Sequence, residues 1–343
     1  MKNFVTIREA EKIAKSKLKI GKFNWLISGA EDNYTTNLNI EKLNEIKLMP
    51  NILKKRKDLD FKVNFFGADM EIPLLLSPMG HQTQFHSKGE VETAIGLKNV
   101  NLISAFSTQG RMDLYDIRKK NKNLKIIWTI FLFGSKKWIL DEIKRAENND
   151  CIAIALCLDA SVRSHRYLDR ETRYDARKFG KRTLNLPPDP SSELEYDWNI
   201  IRWIKSKTKL PIILKGIINP KDAKIALKVG VKSIWVSNHG GRMLNSGISC
   251  VEALISIKKI VNNKLKIIVD GGVRRGSDIV KYLCLGADLV GVGRPAIFGL
   301  AIDGNKGVSR IFDILKKEFY TTAINSGANN LKDLNKNKIL LKN

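Results

Sequence analysis

The fold is indicated by one stretch, Ser233-Ile234-Trp235-Val236-Ser237-Asn238-His239-Gly240-Gly241-Arg242. Its first four residues form an apolar run that predicts a short buried strand. The next six place a histidine, an arginine and two glycines where that strand ends. A histidine can carry a proton, an arginine can clamp a carboxylate, and glycines let the backbone approach a ligand closely. A single histidine at a strand end is more often structural, so the rest of the chain decides its role.

The same strand pattern recurs from residue 71 onward. The apolar runs are Leu74–Ser77, Leu102–Phe106, Ile126–Phe131, Ile152–Leu158, Ile212–Leu214, Ile234–Val236, Ile267–Val269 and Leu289–Val292. Amphipathic patterns between and after them predict helices at Gly89–Lys98, Asp113–Lys120, Lys136–Asn148, Trp198–Lys207, Lys221–Val229, Val251–Val261, Ser277–Leu285 and Val308–Asn325. Strands that alternate with helices predict parallel β-α-β units, and eight such units favour a closed (β/α)8 TIM barrel of the α/β class.

The barrel is expected to occupy residues 71–327, with additions before, within and after it. Residues 1–70 predict an N-terminal helical extension and a connector, with helices at Ile7–Lys17, Asn24–Gly29 and Thr35–Lys47 and a hairpin near 61–70. Residues 160–197 are rich in Arg, Asp and Pro and form a long loop after the fourth strand, so we expect a lid over the barrel mouth. The basic tail, 328–343, is expected to fray.

The charge balance is strongly basic, because 60 Lys and Arg residues against 35 Asp and Glu residues give a net charge of +25. Such a charge can indicate a nucleic-acid partner. The lysines are spread along the whole chain, however, and Ile and Asn are also abundant. This pattern indicates a compositional bias rather than a binding stripe, and we expect no nucleic-acid partner.

Cysteine usage indicates a reducing compartment. Cys151, Cys157, Cys250 and Cys284 are far apart and include no CxxC pair. Neither a metal site nor a disulfide framework is indicated. The basic N-terminus lacks an apolar signal segment, and no apolar run approaches the ~18 residues of a membrane span. We therefore expect a cytoplasmic protein without a membrane span.

Glycine-rich turns follow the seventh and eighth predicted strands, at residues 270–276 and 291–295. Each turn carries an arginine, Arg274 or Arg294, and each leads into a helix. Adjacent turns of this kind at the carboxyl ends of barrel strands predict a phosphate site. Lys215 ends the fifth strand, where a buried unpaired charge would be costly, so we expect a Schiff base, an anion or a flavin as its partner. The mouth therefore suggests a phosphorylated cofactor and an anionic substrate.

Three segments together resemble one family. SNHGGR at 237–242, DGGVRRG at 270–276 and GADLVGVGRP at 286–295 are similar, in order and spacing, to the FMN-dependent α-hydroxy-acid oxidase and dehydrogenase family. The resemblance runs from about residue 20 to residue 330. It implies a TIM barrel with FMN at the carboxyl-terminal mouth and oxidation of a 2-hydroxy acid to the 2-oxo acid.

The resemblance also implies residue roles. His239 would be the base, Arg242 and Arg166 would bind the substrate carboxylate, and Lys215 would contact the N1/O2 edge of the flavin. Asp270 would orient His239 or support the network on the flavin side. The flavin ring would be lined by Pro78, Met79, Gly80, Thr108, Thr129, Cys157 and Ser237. The phosphate and ribityl chain would be held by Gly271, Gly272, Arg274, Gly293 and Arg294.

The implied mechanism passes the α-hydroxyl proton to His239 and a hydride to flavin N5, with a carbanion route on the same base as the alternative. The substrate would be a small carboxylate-bearing molecule, the electron acceptor O2 or another oxidant, and the assembly a tetramer.

Four positions depart from the family pattern. Trp25 and Phe131 stand where the family has tyrosines, Thr129 where it has glutamine, and Cys157 where it has threonine. A lost hydrogen bond to an anion costs about 1.5–3 kcal/mol. The two lost hydroxyls therefore predict a substrate bulkier than glycolate or lactate.

Three alternatives remain open from the sequence. One is a different flavin chemistry on the same barrel, such as isomerisation by reduced flavin. Another is a catalytically weakened FMN-binding protein. The third is a basic binding protein that uses the barrel as a scaffold and would show salt-sensitive nucleic-acid binding.

Overall fold

The structure is a computed structural model that describes residues 4–56, 58–176 and 196–341. Three helices open the chain: α1 (Ile7–Lys17), α2 (Ile20–Ile27) and α3 (Tyr34–Glu45). Strand β1 (Lys47–Leu48) follows, and then a hairpin of β2 (Val63–Phe65) and β3 (Ala68–Met70). The Thr6 hydroxyl caps α1 by accepting from the Glu9 amide at 3.1 Å. Helix α2 begins four residues before its predicted start.

Eight parallel strands form a closed barrel in the order β10-β11-β4-β5-β6-β7-β8-β9, which confirms the predicted TIM barrel. The strands are β4 (Leu74–Leu76), β5 (Ile103–Ser107), β6 (Lys125–Phe131), β7 (Ala153–Cys157), β8 (Ile212–Lys215), β9 (Ser233–Val236), β10 (Lys266–Val269) and β11 (Leu289–Val292). The helices around them are α4 (Gly89–Gly96), α5 (Leu114–Lys120), α6 (Lys136–Asn148), α7 (Tyr167–Glu171), α8 (Asn199–Lys205), α9 (Pro220–Val229), α10 (Cys250–Val261), α11 (Gly276–Cys284) and α12 (Arg294–Asn325).

The core has two apolar layers, because strand residues alternate between the barrel interior and the surrounding helices. The interior layer contains Ile127, Ile213, Trp235 and Ile268, all fully buried. The β2–β3 hairpin packs against this interior layer, so it closes the amino-terminal end of the barrel. The carboxyl-terminal end is left for a site.

The last helix differs from its prediction. It begins at Arg294 instead of Val308, and non-helical residues Asp303 and Gly304 divide it into two segments. The two segments meet at a glycine contact, where a Cβ on Gly307 would lie 2.0 Å from the Gly299 carbonyl oxygen. The glycines therefore permit the two helical segments to pack closely.

The basic tail is ordered as far as Leu341, so the expected fraying is wrong for this part. Strand β12 (Ile339–Leu340) pairs antiparallel with β1. The buried Lys338 ammonium donates to the Ser326 carbonyl at 2.6 Å. Of the predicted lid, residues 177–195 lie outside the described residues, so its closure stays a prediction. Within the described ranges, no helix is both long and apolar enough to cross a membrane.

Candidate active site

His239 lies in a left-handed turn that immediately follows β9. Its φ is 57°, and Gly240 and Gly241 follow with φ values of 65° and 77°. A left-handed histidine is uncommon and persists only where surrounding contacts enforce it. The N-terminal extension supplies two such contacts. The Thr36 hydroxyl donates to the Gly240 carbonyl at 3.0 Å, and the Ala30 amide donates to the Gly241 carbonyl at 2.8 Å.

Asn39 on α3 holds the start of the same turn in place through hydrogen bonds. Its side-chain amide and that of Asn238 exchange two hydrogen bonds, of 2.9 and 3.0 Å, in a buried position. Asn39 Oδ1 also accepts from the Cys250 amide at 3.0 Å. Asn238 Oδ1 accepts from the Gly241 amide at 3.1 Å, so the pair fixes both the turn and the start of α10.

The side chains of His239, Asp159 and Lys215 form a charged cluster at the barrel mouth. His239 Nδ1 lies 3.0 Å from Asp159 Oδ1. Lys215 Nζ lies 3.7 Å from Asp159 Oδ2 and donates to the Ser237 hydroxyl at 3.1 Å. Asp159 follows the fourth barrel strand and His239 follows the sixth, whereas Lys215 is the last residue of the fifth.

Asp270 does not contact His239, so the expectation that it orients the base is wrong. Its Oδ2 accepts from the Ser77 hydroxyl at 3.2 Å, on the β4 side of the barrel. Asp159 occupies the place beside the imidazole because β7 and β9 end on either side of β8, and their loops meet over Lys215. The second expectation for Asp270, support of the flavin side, stays a prediction.

The electrostatics of the cluster favour an ionised Asp159 and a neutral His239. Burial acts to raise the pKa of Asp159, but the Lys215 charge and the hydrogen bond from His239 outweigh it and hold that pKa well below its usual value. Burial lowers the pKa of His239, and Lys215 adds to this effect. Burial also acts to lower the pKa of Lys215, but Asp159 holds that pKa above its usual value. A neutral imidazole that donates Nδ1–H to Asp159 keeps a free lone pair on Nε2.

Arg166 and Arg242 both lie against the ring of Trp25. Their guanidinium carbons are 5.8 and 4.8 Å from the ring centroid. Arg166 pairs with Asp169 at 3.1 Å, whereas Arg242 donates to the carbonyls of Trp25 and Ser28 at 2.9 and 2.7 Å. Burial lowers the pKa of Arg242, and repulsion from Arg166 adds to this shift. The arrangement concentrates positive charge where a carboxylate could bind.

Arg294 joins this cluster instead of pointing freely into the eighth strand turn. It donates to the Leu26, Ser28 and Gly240 carbonyls at 3.1, 3.2 and 3.0 Å. Burial, together with repulsion from Arg274, lowers the pKa of Arg294 to about 9. Within the described ranges, no carboxylate lies within 4 Å of the Arg242 or Arg294 guanidinium.

An apolar wall faces the base from β6. The Phe131 ring lies 5.9 Å from the His239 ring and 5.6 Å from that of Phe133. Phe131, Cys157 and Ala160 form a separate buried cluster, against which Phe133 and Met243 pack. Trp25 and Phe131 therefore lie near the arginines and the base, respectively.

The strand ends fit FMN, as tested by their unpaired polar atoms and close backbone approaches. Thr129 Oγ1 and Asp270 Oδ1 are buried and have no hydrogen-bond partner within the described part of the chain. Gly271 and Gly272 have φ values of 100° and 78°, and Gly293 lies close to Met79, whose Sδ would be 3.1 Å from an added Cβ. These strand ends offer unpaired polar atoms and glycine backbone, as a flavin and its phosphate require.

The other expected flavin neighbours occupy the same rim. The Ser237 hydroxyl accepts from the His239 amide at 3.2 Å, and the Thr108 hydroxyl accepts from the Phe131 amide at 3.2 Å. Gly80 follows Pro78 and Met79 after β4, where an added Cβ would lie 2.7 Å from the Gln109 carbonyl oxygen. Arg274 donates to the Val273 carbonyl at 3.0 Å. Their contacts with FMN stay predictions.

Comparison with known proteins identifies the family. A model of the FMN-dependent dehydrogenase family matches residues 14–341. A 2-hydroxyacid oxidase of Dictyostelium discoideum is 33% identical over 350 residues, covering 97% of this chain and 89% of the relative. An L-lactate oxidase of Nostoc sp. is 31% identical and covers 96% of each chain. A crystal structure of mandelate oxidase superposes with a TM-score of 0.89 at 26% identity, over 99% of both chains. The chain belongs to the FMN-dependent dehydrogenase family, and FMN is its cofactor.

Proposed function

We propose that this FMN-dependent 2-hydroxy-acid oxidoreductase acts on an acid whose apolar side chain is larger than that of glycolate or lactate. The observation that carries the proposal is the His239–Asp159 contact beside Phe131, with Arg166 and Arg242 on Trp25. The relatives support the reaction class, since they are 2-hydroxyacid, lactate and mandelate oxidases.

The carboxylate of the substrate binds to Arg166 and Arg242. Guanidinium groups suit this role because their planar donors match the two oxygens of a carboxylate. Trp25 holds both guanidiniums by cation–π contact, which limits their motion before the substrate arrives. The clamp fixes the α-carbon at a defined distance from the base.

His239 accepts the α-hydroxyl proton on Nε2. Asp159 accepts Nδ1–H, keeps the imidazole in the required tautomer and stabilises the positive charge that forms on the ring. FMN, when bound, supplies the two-electron acceptor for the α-hydrogen. Lys215, which is 3% exposed and donates to the Ser237 hydroxyl, would supply positive charge to the N1/O2 edge of bound FMN.

The side chain of the substrate packs on the apolar wall of Phe131, Phe133 and Met243. This wall offers no hydroxyl to a small polar acid. Apolar surface of the substrate that is buried against its rings contributes about 25 cal/mol per Å² to binding. Mandelate oxidase, whose structures include a complex with benzoyl-formic acid, shares this fold over its full length. An aryl or branched aliphatic side chain is therefore the proposed substrate class.

The experiment is anaerobic bleaching of the yellow holoenzyme by a graded panel of acids: glycolate, lactate, 2-hydroxyisocaproate and mandelate. We expect the second-order rate constant of flavin reduction to rise along this series. His239→Ala should retain FMN and lose reduction by every acid. Fastest bleaching by glycolate would contradict the proposed side-chain preference. A yellow protein that no acid bleaches would instead support the weakened FMN-binding alternative.

The acceptor, assembly and compartment are part of the same proposal. We propose O2 as the acceptor because the relatives are oxidases, and a homo-oligomer, with a tetramer implied by the family resemblance. All four cysteines are free and buried, which supports a reducing cytoplasm. Oxygen consumption and light scattering after gel filtration test the first two points.

A further inference from the structure

We propose that Cys157, Asp159 and His239 form a binding site for Zn²⁺ or a similar thiophilic divalent ion, and that occupation of this site inhibits the enzyme. The inference goes beyond the proposed oxidation, because metal binding can be measured without a substrate. It depends on three donor atoms that the ends of β7 and β9 bring together.

The donor atoms have nearly the spacing of a tetrahedral zinc site. Cys157 Sγ lies 3.1 Å from Asp159 Oδ1 and 3.9 Å from His239 Nδ1, and Nδ1 lies 3.0 Å from Oδ1. Zinc bonds of about 2.3 Å to sulfur and about 2.0–2.1 Å to nitrogen and oxygen imply donor separations of about 3.3–3.6 Å. Each observed separation is within about half an ångström of this range. Side-chain rotation alone could therefore produce the coordination.

The chemistry of the donors favours zinc over magnesium or calcium. A thiolate and an imidazole suit borderline-soft ions, whereas hard ions prefer oxygen ligands. The soft donor is Cys157, at a position where the resemblance implies threonine for the family. A threonine would leave only one imidazole and one carboxylate. The site is thus a property of this chain.

The neighbouring Lys215 does not block the donor oxygen of Asp159. The Lys215 ammonium lies nearest Asp159 Oδ2, at 3.7 Å, so Oδ1 can turn to a metal while Oδ2 stays beside the lysine. Its charge weakens cation binding without occupying the donor oxygen. The side chain of His239 is 24% exposed, which gives an ion a route from the mouth. Three protein ligands leave a fourth position for water.

Inhibition follows from the two ring nitrogens of His239. Zinc on Nδ1 requires the tautomer whose single ring proton lies on Nε2, so the proton that Nδ1 donates to Asp159 moves through solvent to Nε2. A protonated Nε2 cannot accept the α-hydroxyl proton of the substrate. The thiol proton of Cys157 passes to solvent as the sulfur–zinc bond forms.

The test titrates the FMN-loaded holoenzyme with ZnCl₂ in a non-chelating buffer. We expect calorimetry to give one site per chain, and flavin reduction by substrate to slow in parallel and recover after EDTA. MgCl₂ should have neither effect. Cd²⁺ should add a near-ultraviolet thiolate absorption band, which identifies a sulfur ligand independently of activity.

Cys157→Ser removes the soft ligand, and Cys151→Ser, two residues before the start of β7, is its matched control. Each variant is compared with its own metal-free rate. We expect Cys157→Ser to weaken Zn²⁺ binding by at least about tenfold and Cys151→Ser to leave it unchanged. Equal zinc affinity in Cys157→Ser, or a Cd²⁺ band that persists there, would overturn the proposal. So would the absence of calorimetric binding to the parent, whether or not any acid bleaches the flavin.

Discussion

Phe131 places an apolar ring against the base, and this contact makes the substrate preference testable at a single residue. Phe131→Tyr adds one hydroxyl beside His239. A hydrogen bond to a charged partner contributes about 1.5–3 kcal/mol, so the reduction rate with lactate should rise by about tenfold or more. Stopped-flow reduction of the flavin measures this change.

Phe133→Tyr is the matched control, because Phe133 belongs to the same wall and its ring contacts Phe131, whereas the ring that meets His239 edge-on is that of Phe131. This variant should leave the rate of flavin reduction by lactate nearly unchanged. If Phe131→Tyr leaves the ranking of lactate and mandelate as it is in the parent, the missing hydroxyl does not set the preference.

Glu90 is a buried carboxyl whose charge is costly to the fold. Burial raises its pKa, and its Oε2 has no hydrogen-bond partner within the described residues. The folded state therefore binds the proton more tightly than the unfolded state, so Glu90 destabilises the protein increasingly as pH rises above about 4.3. Glu90→Gln should gain stability relative to the parent as pH rises from about 5 to 8.

Thermal unfolding of both proteins across this pH range measures the difference, with exposed Glu41→Gln as the control. A difference between Glu90→Gln and the parent that does not vary with pH would show that Glu90 is ionised equally in both states.

The prominent site residues could be predicted from the sequence, because each strand-end motif carries its own chemistry. His239, Arg242, Arg166 and Lys215 do meet at one mouth. The partner of His239 could not be chosen, since Asp159 and Asp270 both follow barrel strands and only the three-dimensional order of the strands separates them. The sequence did not indicate the buried role of Asn39, because an asparagine on a helix is usually exposed.

At the scale of elements, α3 acts as part of the active site although it lies outside the barrel. Asn39→Ala removes partners from the Asn238 side chain and the Cys250 amide. Each buried group left unpaired costs about 1–3 kcal/mol. We expect a lower free energy of unfolding in urea and slower flavin reduction, because the left-handed turn at His239 loses its support.

Asn37→Ala on the exposed side of α3 is the matched control and should stay within about 0.5 kcal/mol of the parent. Equal flavin reduction by the Asn39→Ala and Asn37→Ala variants would contradict the positioning role, whatever their stabilities.

The eight strands could be predicted because buried parallel strands are short apolar runs. Such runs can be recognised in the sequence without knowledge of tertiary contacts. The full extent of α12 could not be predicted from the sequence. Its first segment was not predicted, because Gly299 and Gly307 are poor helix formers whose role is a backbone contact that exists only where the two helical segments pack.

For the whole molecule, the β1–β12 pair joins the N-terminal extension to the chain end. Ile339 is 7% exposed and Leu340 is 52% exposed in the same strand. Ile339→Ala should lower the free energy of unfolding by about 2–5 kcal/mol, whereas Leu340→Ala should change it by less than about 0.5 kcal/mol. Urea unfolding measures both. If the tail frayed, the two variants would be equally harmless.

The guanidiniums of Arg166, Arg242 and Arg294 repel one another, and among the described residues Asp169 is the one carboxylate that forms an ion pair with any of them. Their mutual repulsion raises the free energy of the ligand-free fold, and a bound carboxylate relieves it. Ligand at 100 times its Kd would stabilise the fold by about 2.7 kcal/mol, so a 2-oxo acid should raise the thermal midpoint and its amide should not. A protease that cuts unfolded chains would then degrade the enzyme fastest when the concentration of the acids that bind this site is low. The concentration of these acids would therefore control how long the enzyme persists.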